Sequence, residues 1–164
     1  MNRSVYITKL ASFLPNDPVS NEEMENILGR INDQPSKAKP LILRNNQIKT
    51  RYYASDKKGN PTHTNTELTK IAIEKLFDKN FGLEDIDVLS CGTTTPDQLL
   101  PAHAAMVHGA LGGHAVEINS TTGACSAGIQ ALKFGYLSIL SGTASNAVCT
   151  GSERFSIWML AKYF

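Results

Sequence analysis

The stretch TTGACSAGIQALKFG, residues 121–135, sets one cysteine, Cys125, among small residues where an apolar helical pattern begins. A thiol becomes a nucleophile as its thiolate, and the thiolate is favoured where free N–H groups and the positive end of a helix dipole converge. Strand, small-residue turn and helix, with the nucleophile at the turn, is the arrangement of a nucleophile elbow. Gly123, Ala124, Ser126 and Ala127 are small enough to leave room for an acyl chain beside the sulfur. Against this stands the ordinary fate of a single cysteine, which is to serve as a small buried apolar residue.

The remaining candidates carry less chemistry. Cys91 and Cys149 lie inside apolar strand-like runs, where a buried thiol is inert. His103 and His108 are five residues apart and do not share a helix face. His63 falls in a loop and His114 directly precedes a strand-like run, so all four histidines are expected to be surface or packing residues. The stretch GALGGHAV lacks the full glycine fingerprint of a phosphate loop and follows a helical pattern instead of a strand. Three cysteines are an odd number at no metal-ligand spacing, which argues against a disulfide framework or zinc site and for a reducing, cytoplasmic setting.

The composition fits a globular chain. Of 164 residues, 41% are hydrophobic and 19% charged, and 16 basic against 15 acidic residues leave a net charge of +1. That balance offers no attraction for nucleic acid or an anionic membrane surface. The N-terminus, MNRSVYITKL, has no apolar signal core, and no window is apolar enough for a membrane span.

The elements that must position Cys125 follow from periodicity and punctuation. Residues 4–10 read as a strand. Ser20 and Glu23 form a capping-box pattern ahead of the apolar face Met24, Ile27 and Leu28. Residues 33–39 read as a loop, and LILRNNQIKTRYY (residues 41–53) as irregular or extended with a turn at Asn45 and Asn46. After a loop over 55–65, Thr64 and Glu67 form a second capping box, and Leu68, Ile71, Ala72 and Leu76 predict a helix to about residue 80. Residues 87–93 are a buried strand, 102–111 a short helix behind Pro101, 115–119 another strand. Residues 125–141 form a helix apolar on most sides and therefore buried, and 146–150 a final strand. This alternation predicts an α/β fold with helices packed on a sheet. The chain stops at the apolar SIWMLAKYF, which reads either as a docked C-terminal helix or as an end covered by something outside the sequence.

Several stretches resemble one family in collinear order. TTGACSAGIQALKFGYLSILSG resembles the active-site segment of ketoacyl-acyl-carrier-protein synthase III and its thiolase-fold relatives. IKTRYYA resembles the segment after that family's first helices, DIDVLSCGTTTPDQLLPAHAAMVHGALG its T-T-P-D region and following helix, and NAVCTGSE the strand ending in Gly-Ser and an acidic residue. TTTPDQLLPAHAAMVHG and GSERFSIWMLAKYF resemble the branch that serves aryl polyene and dialkylresorcinol pigments.

The resemblance implies the N-terminal half of a thiolase-like fold over residues 1–164: a mixed sheet with packed helices and a buried helix carrying the cysteine. It implies a condensing enzyme in which Cys125 takes an acyl group from a thioester of acyl carrier protein or coenzyme A. A second thioester, as a carbanion, then attacks the acyl-cysteine in a Claisen condensation. No cofactor is implied beyond these thioester substrates. The histidine and asparagine that assist the second step belong to the family's second half, which this sequence does not contain. The family's tryptophan that stacks on adenine has no counterpart in SKAKPLILRNNQI, which favours a carrier-protein donor. Leu100 matches a position that reaches across a homodimer into the partner's acyl pocket, and Glu153 an acidic position expected to be structural. A non-catalytic dimerisation or scaffold fragment of the same fold is the alternative.

Overall fold

A computed structural model describes residues 3–164. In chain order its elements are β1 (Val19–Ser20), α1 (Met24–Leu28), α2 (Lys39–Asn46), β2 (Thr50–Arg51), α3 (Asn65–Glu74), β3 (Val88–Gly92), α4 (His103–Leu111), β4 (Glu117–Thr121), α5 (Ala127–Ser141) and β5 (Ala147–Gly151). They fall into two compact units: Asn65–Glu153 with the segment up to Phe13, and Leu14–Thr64 with Arg154–Phe164.

The first unit is a parallel sheet in the order β4-β3-β5. Successive side chains of a strand point to opposite faces. Leu89 and Cys91 of β3 therefore join Ile73 of α3, Ala104 and Val107 of α4, Ile86 and Val148 in one apolar core. Val88, Ser90 and Gly92 look the other way, toward α5. A parallel strand covered on both faces needs no polar alternation, and all five residues of VLSCG are buried. Asp87 stitches the N-terminal edge of the sheet: its carboxylate accepts the amides of Ser145 and Asn146, which hold its pKa below the usual carboxylate range.

Close approach places α5 on the sheet. A methyl on Gly92 would overlap the carbonyl of Ala127, and one on Gly135 would overlap the Cys149 sulfur. Ala127, Ala131, Gly135 and Ser138 form the buried stripe of the helix. The expected burial on most sides does not hold within this chain: Ile129, Leu132, Tyr136, Leu137 and Leu140 are exposed on the opposite face. The helix has one sheet to lie on, and small residues suit only that contact.

In the second unit, β1 and β2 pair antiparallel. The capping box at Ser20 forms in both directions: the Glu23 amide donates to Ser20 Oγ (3.3 Å) and the Ser20 amide to Glu23 Oε2 (3.1 Å). Asn16 Nδ2 reaches the carbonyls of Tyr53 (2.8 Å) and Ser55 (3.3 Å), so one side chain ties the loop after β2.

Other expectations are corrected. Residues 4–10 pair with no strand; Tyr6, Ile7 and Leu10 are exposed, so strand propensity there finds no ladder. LILRNN is helical, as the end of α2, with Gln47 in the left-handed region closing it and donating its amide to the Leu43 carbonyl. α3 ends at Glu74, before the tight turn in which the Asp78 amide meets the Phe81 carbonyl. The apolar C-terminal stretch forms two 3-10 turns in which Leu160 is buried but Trp158 and Phe164 are exposed. No helix among the described residues is long and apolar enough to cross a membrane.

Candidate active site

In open α/β sheets, ligands meet the loops beyond the carboxyl ends of parallel strands. Here β3, β4 and β5 end at Gly92, Thr121 and Gly151, and three segments leave that edge: 93–97, 122–126 and 152–153.

The middle segment carries Cys125. From β4 the chain passes Thr122 and Gly123, then enters a 3-10 turn, Ala124–Ser126, one residue before α5. Cys125 is thus exposed in the turn directly ahead of the helix. Ala124 has φ 48°, the left-handed region that an alanine enters only under constraint. The constraint is visible. The Gly123 carbonyl accepts the Ser126 amide (3.0 Å) and Ser126 Oγ (2.8 Å), and the Ala124 carbonyl accepts Thr94 Oγ1 (2.9 Å). Thr121 Oγ1 donates to the Ala127 carbonyl (2.9 Å). A strand, a strained turn and a helix, with an exposed thiol on the turn, follow the order of elements that the spacing suggested. Of the small residues around it, Ala127 is buried against β3, so its size serves helix–sheet contact.

The segment after β3 is held from several directions. Asn65 Nδ2 donates to Thr93 Oγ1 (2.7 Å) and to the Thr95 carbonyl (2.8 Å). Asp97 accepts the amides of Asn65 and Thr66, both at 2.8 Å, and so caps α3. Glu153 accepts the Thr94 amide through Oε1 and Thr95 Oγ1 through Oε2, both at 2.7 Å. Behind these lies His103, buried, with Nε2 3.2 Å from Thr69 Oγ1 and 3.3 Å from Ser152 Oγ. Burial lowers its pKa, against the pull of Asp97 and Glu153, and so favours the neutral ring.

The other histidines have partners of their own. His63 Nδ1 meets Thr62 Oγ1, His108 Nε2 the His114 carbonyl, and His114 Nε2 the Ile86 carbonyl. Cys91 is fully buried, and desolvation pushes its thiol up to about 11; burial raises Cys149 as well. Leu99 and Leu100 stand 88% and 84% exposed on the segment between β3 and α4. The structure thus gathers Cys125, Thr94 and Glu153 at one edge and leaves Leu100 on the surface. Sequence reasoning singled out Cys125 and the T-T-P-D run but gave no role to Asn65 or Thr94; a run of three threonines at a strand end was the signal available.

No family model matches the chain. Similarity to individual proteins is extensive. The chain is 30% identical over 150 residues to the β-ketoacyl-acyl-carrier-protein synthase III of Lactococcus lactis subsp. lactis, covering 92% of this chain and 42% of that protein. It is 30% identical over 151 residues to the enzyme of the same name from Streptococcus sanguinis, covering 92% and 43%. The solved 3-oxoacyl-acyl-carrier-protein synthase III of Aquifex aeolicus superposes with a TM-score of 0.72 at 26% identity, over 89% of this chain and 44% of that one. Over most of its length the chain matches the N-terminal half of β-ketoacyl-acyl-carrier-protein synthase III enzymes. It spans less than half the length of the curated relatives it matches, and its α/β architecture is the N-terminal half of their thiolase-like fold. Within that fold the Cys125 elbow, the three carboxyl-edge loops and the α5 contact belong to one unit, Asn65–Glu153.

Proposed function

We propose that this chain supplies the acyl-accepting cysteine of a condensing enzyme. Cys125 as thiolate attacks the carbonyl of an acyl thioester. A new carbon–sulfur bond forms to Sγ, the donor's carbon–sulfur bond breaks, and the donor leaves as a thiolate that takes up a proton. The acyl-cysteine then awaits the carbanion of a second thioester, whose attack forms the carbon–carbon bond and returns the Cys125 thiolate. The observation that carries this reading is the contrast among three thiols. Cys125 is exposed on a strained elbow, whereas Cys91 and Cys149 are withdrawn from solvent and held protonated.

The substrates are acyl carrier protein or coenzyme A thioesters, with the carrier-protein form favoured by the missing tryptophan. The product class is a β-ketoacyl chain of the fatty acid or polyketide kind, made in the reducing setting that three free cysteines suit. The working assembly is a homodimer in which the edge strand β4 and the exposed Leu99 and Leu100 meet their copies. Leu100 then lines the partner's acyl pocket.

Incubation of the folded chain with an acyl-N-acetylcysteamine thioester, followed by peptide mapping, tests the reading. Acyl label is expected on Cys125, and the Cys125→Ala variant should take none. Turnover to a β-keto product is not expected from residues 1–164, because the histidine and asparagine that the resemblance assigns to the second step are not among them. Loss of one oxyanion donor alone costs about a hundredfold or more. Label on Cys91 or Cys149 in place of Cys125 would refute the assignment.

A further inference from the structure

We propose that Glu153 is a positioning residue for the Cys125 elbow, acting through Thr94. The inference rests on the reading of Cys125 as the acyl acceptor.

One carboxylate grips two consecutive residues. Glu153 Oε1 accepts the Thr94 amide and Oε2 accepts the Thr95 hydroxyl, both at 2.7 Å. Such bonds to an ionised acceptor are short and strong. Thr94, so fixed, donates Oγ1 to the carbonyl of Ala124 at 2.9 Å. That carbonyl belongs to the peptide joining Ala124 to Cys125, and Ala124 is the residue in the left-handed region. Rotation of this peptide turns the Cα–Cβ bond of Cys125, so the hydroxyl of Thr94 sets where the sulfur points. The chain of contacts runs from the end of β5, across the loop after β3, to the loop after β4. It continues the ladder bonds at the same edge, where the Ser152 amide meets the Gly92 carbonyl (3.1 Å) and the Thr93 amide the Thr121 carbonyl (3.0 Å). Glu153 touches neither Cys125 nor any reacting atom, so it orients the nucleophile without exchanging protons.

Rates of Cys125 acylation by octanoyl-N-acetylcysteamine, with iodoacetamide as a second electrophile that demands no acyl alignment, test this. Misplacement of a reacting group by a fraction of its own size costs about tenfold or more, so Glu153→Ala and Thr94→Val should each slow acylation by about that factor. Because both break one chain of contacts, the double variant should be no slower than either single one. Glu153→Gln can still accept the Thr94 amide and donate to Thr95 Oγ1, and Thr94→Ser keeps the hydroxyl, so both should stay within about twofold of the parent. Alkylation by iodoacetamide should change little throughout. Additive losses, an unchanged Glu153→Ala rate, or a Glu153→Gln rate as low as Glu153→Ala would overturn the positioning role, the last by showing that charge is what matters. If Glu153→Ala does not fold, the Thr94→Val and Thr94→Ser pair decides, since Thr94 is exposed. A parent chain that takes no acyl group at Cys125 would instead sink the acceptor reading, and this inference with it.

Discussion

Cys125 and Cys91 are the same side chain in two solvents. Cys125 meets water on a turn; Cys91, in the middle strand, meets Ile73, Val107 and other core residues. Desolvation penalises the thiolate, so the folded protein holds the Cys91 proton to about 11 against an ordinary value of 9.0. The unfolded chain releases that proton first. Between those values it binds fewer protons than the native state, so stability falls as pH rises. The contribution is complete below the unfolded value and gone above the folded one, at most about 3 kcal/mol for a shift of this size. Urea denaturation at pH 8 and near pH 10.5 should therefore show a larger loss in the parent than in Cys91→Ala, by about 1–3 kcal/mol. Equal losses would mean that the buried thiol does not couple to folding.

At the scale of elements, α5 shows why small residues cluster after the cysteine. Gly92 faces backbone, the carbonyl of Ala127 and the amide of Gly128, which cannot swing aside as a side-chain tip can. Overpacking at such a contact typically costs 1–3 kcal/mol, and Gly92→Ala should lose about 2 kcal/mol or more and slow Cys125 acylation by lifting α5 off β3. Gly82→Ala is the control: a methyl there meets nothing within 4 Å, so its melting midpoint should stay with the parent. The helical pattern of residues 125–141 was legible because apolar residues recur through it. Its outer face was misread because apolar character alone does not say which side finds a partner. α2 was missed for the converse reason: Leu41 and Ile42 are exposed, so no apolar face distinguishes it from a loop.

For the whole molecule, the proposed dimer follows from what the first unit leaves uncovered. β4 is an edge strand with one side unpaired, Ile118 is partly exposed on it, and Leu99 and Leu100 project from the neighbouring loop. A two-fold contact uses such a patch twice, and an unprotected strand edge invites pairing. Sedimentation at micromolar concentration should show a dimer, and Leu100→Asp should shift it toward monomer by placing two carboxylates at the contact. A parent that is monomeric, unmoved by that substitution, would remove the interface and with it the role of Leu100 in a partner's pocket.

The order of elements, the turn that bears Cys125 and the family resemblance were written locally. A run such as VLSCG can only be a covered strand, the glycines mark the turns, and TTGACSAG carries its resemblance in neighbouring residues. The tertiary structure decided what covers the buried thiol, because burial depends on what packs from elsewhere in the chain: α3, α4 and β5 cover Cys91, whereas Cys125 stands exposed on its turn. It also decided the hold on the elbow. Thr94, Ala124 and Glu153 lie 30 and 59 residues apart along the chain, and no periodicity links positions so distant. They meet because three parallel strands end at one edge, and register fixes which side chains share it.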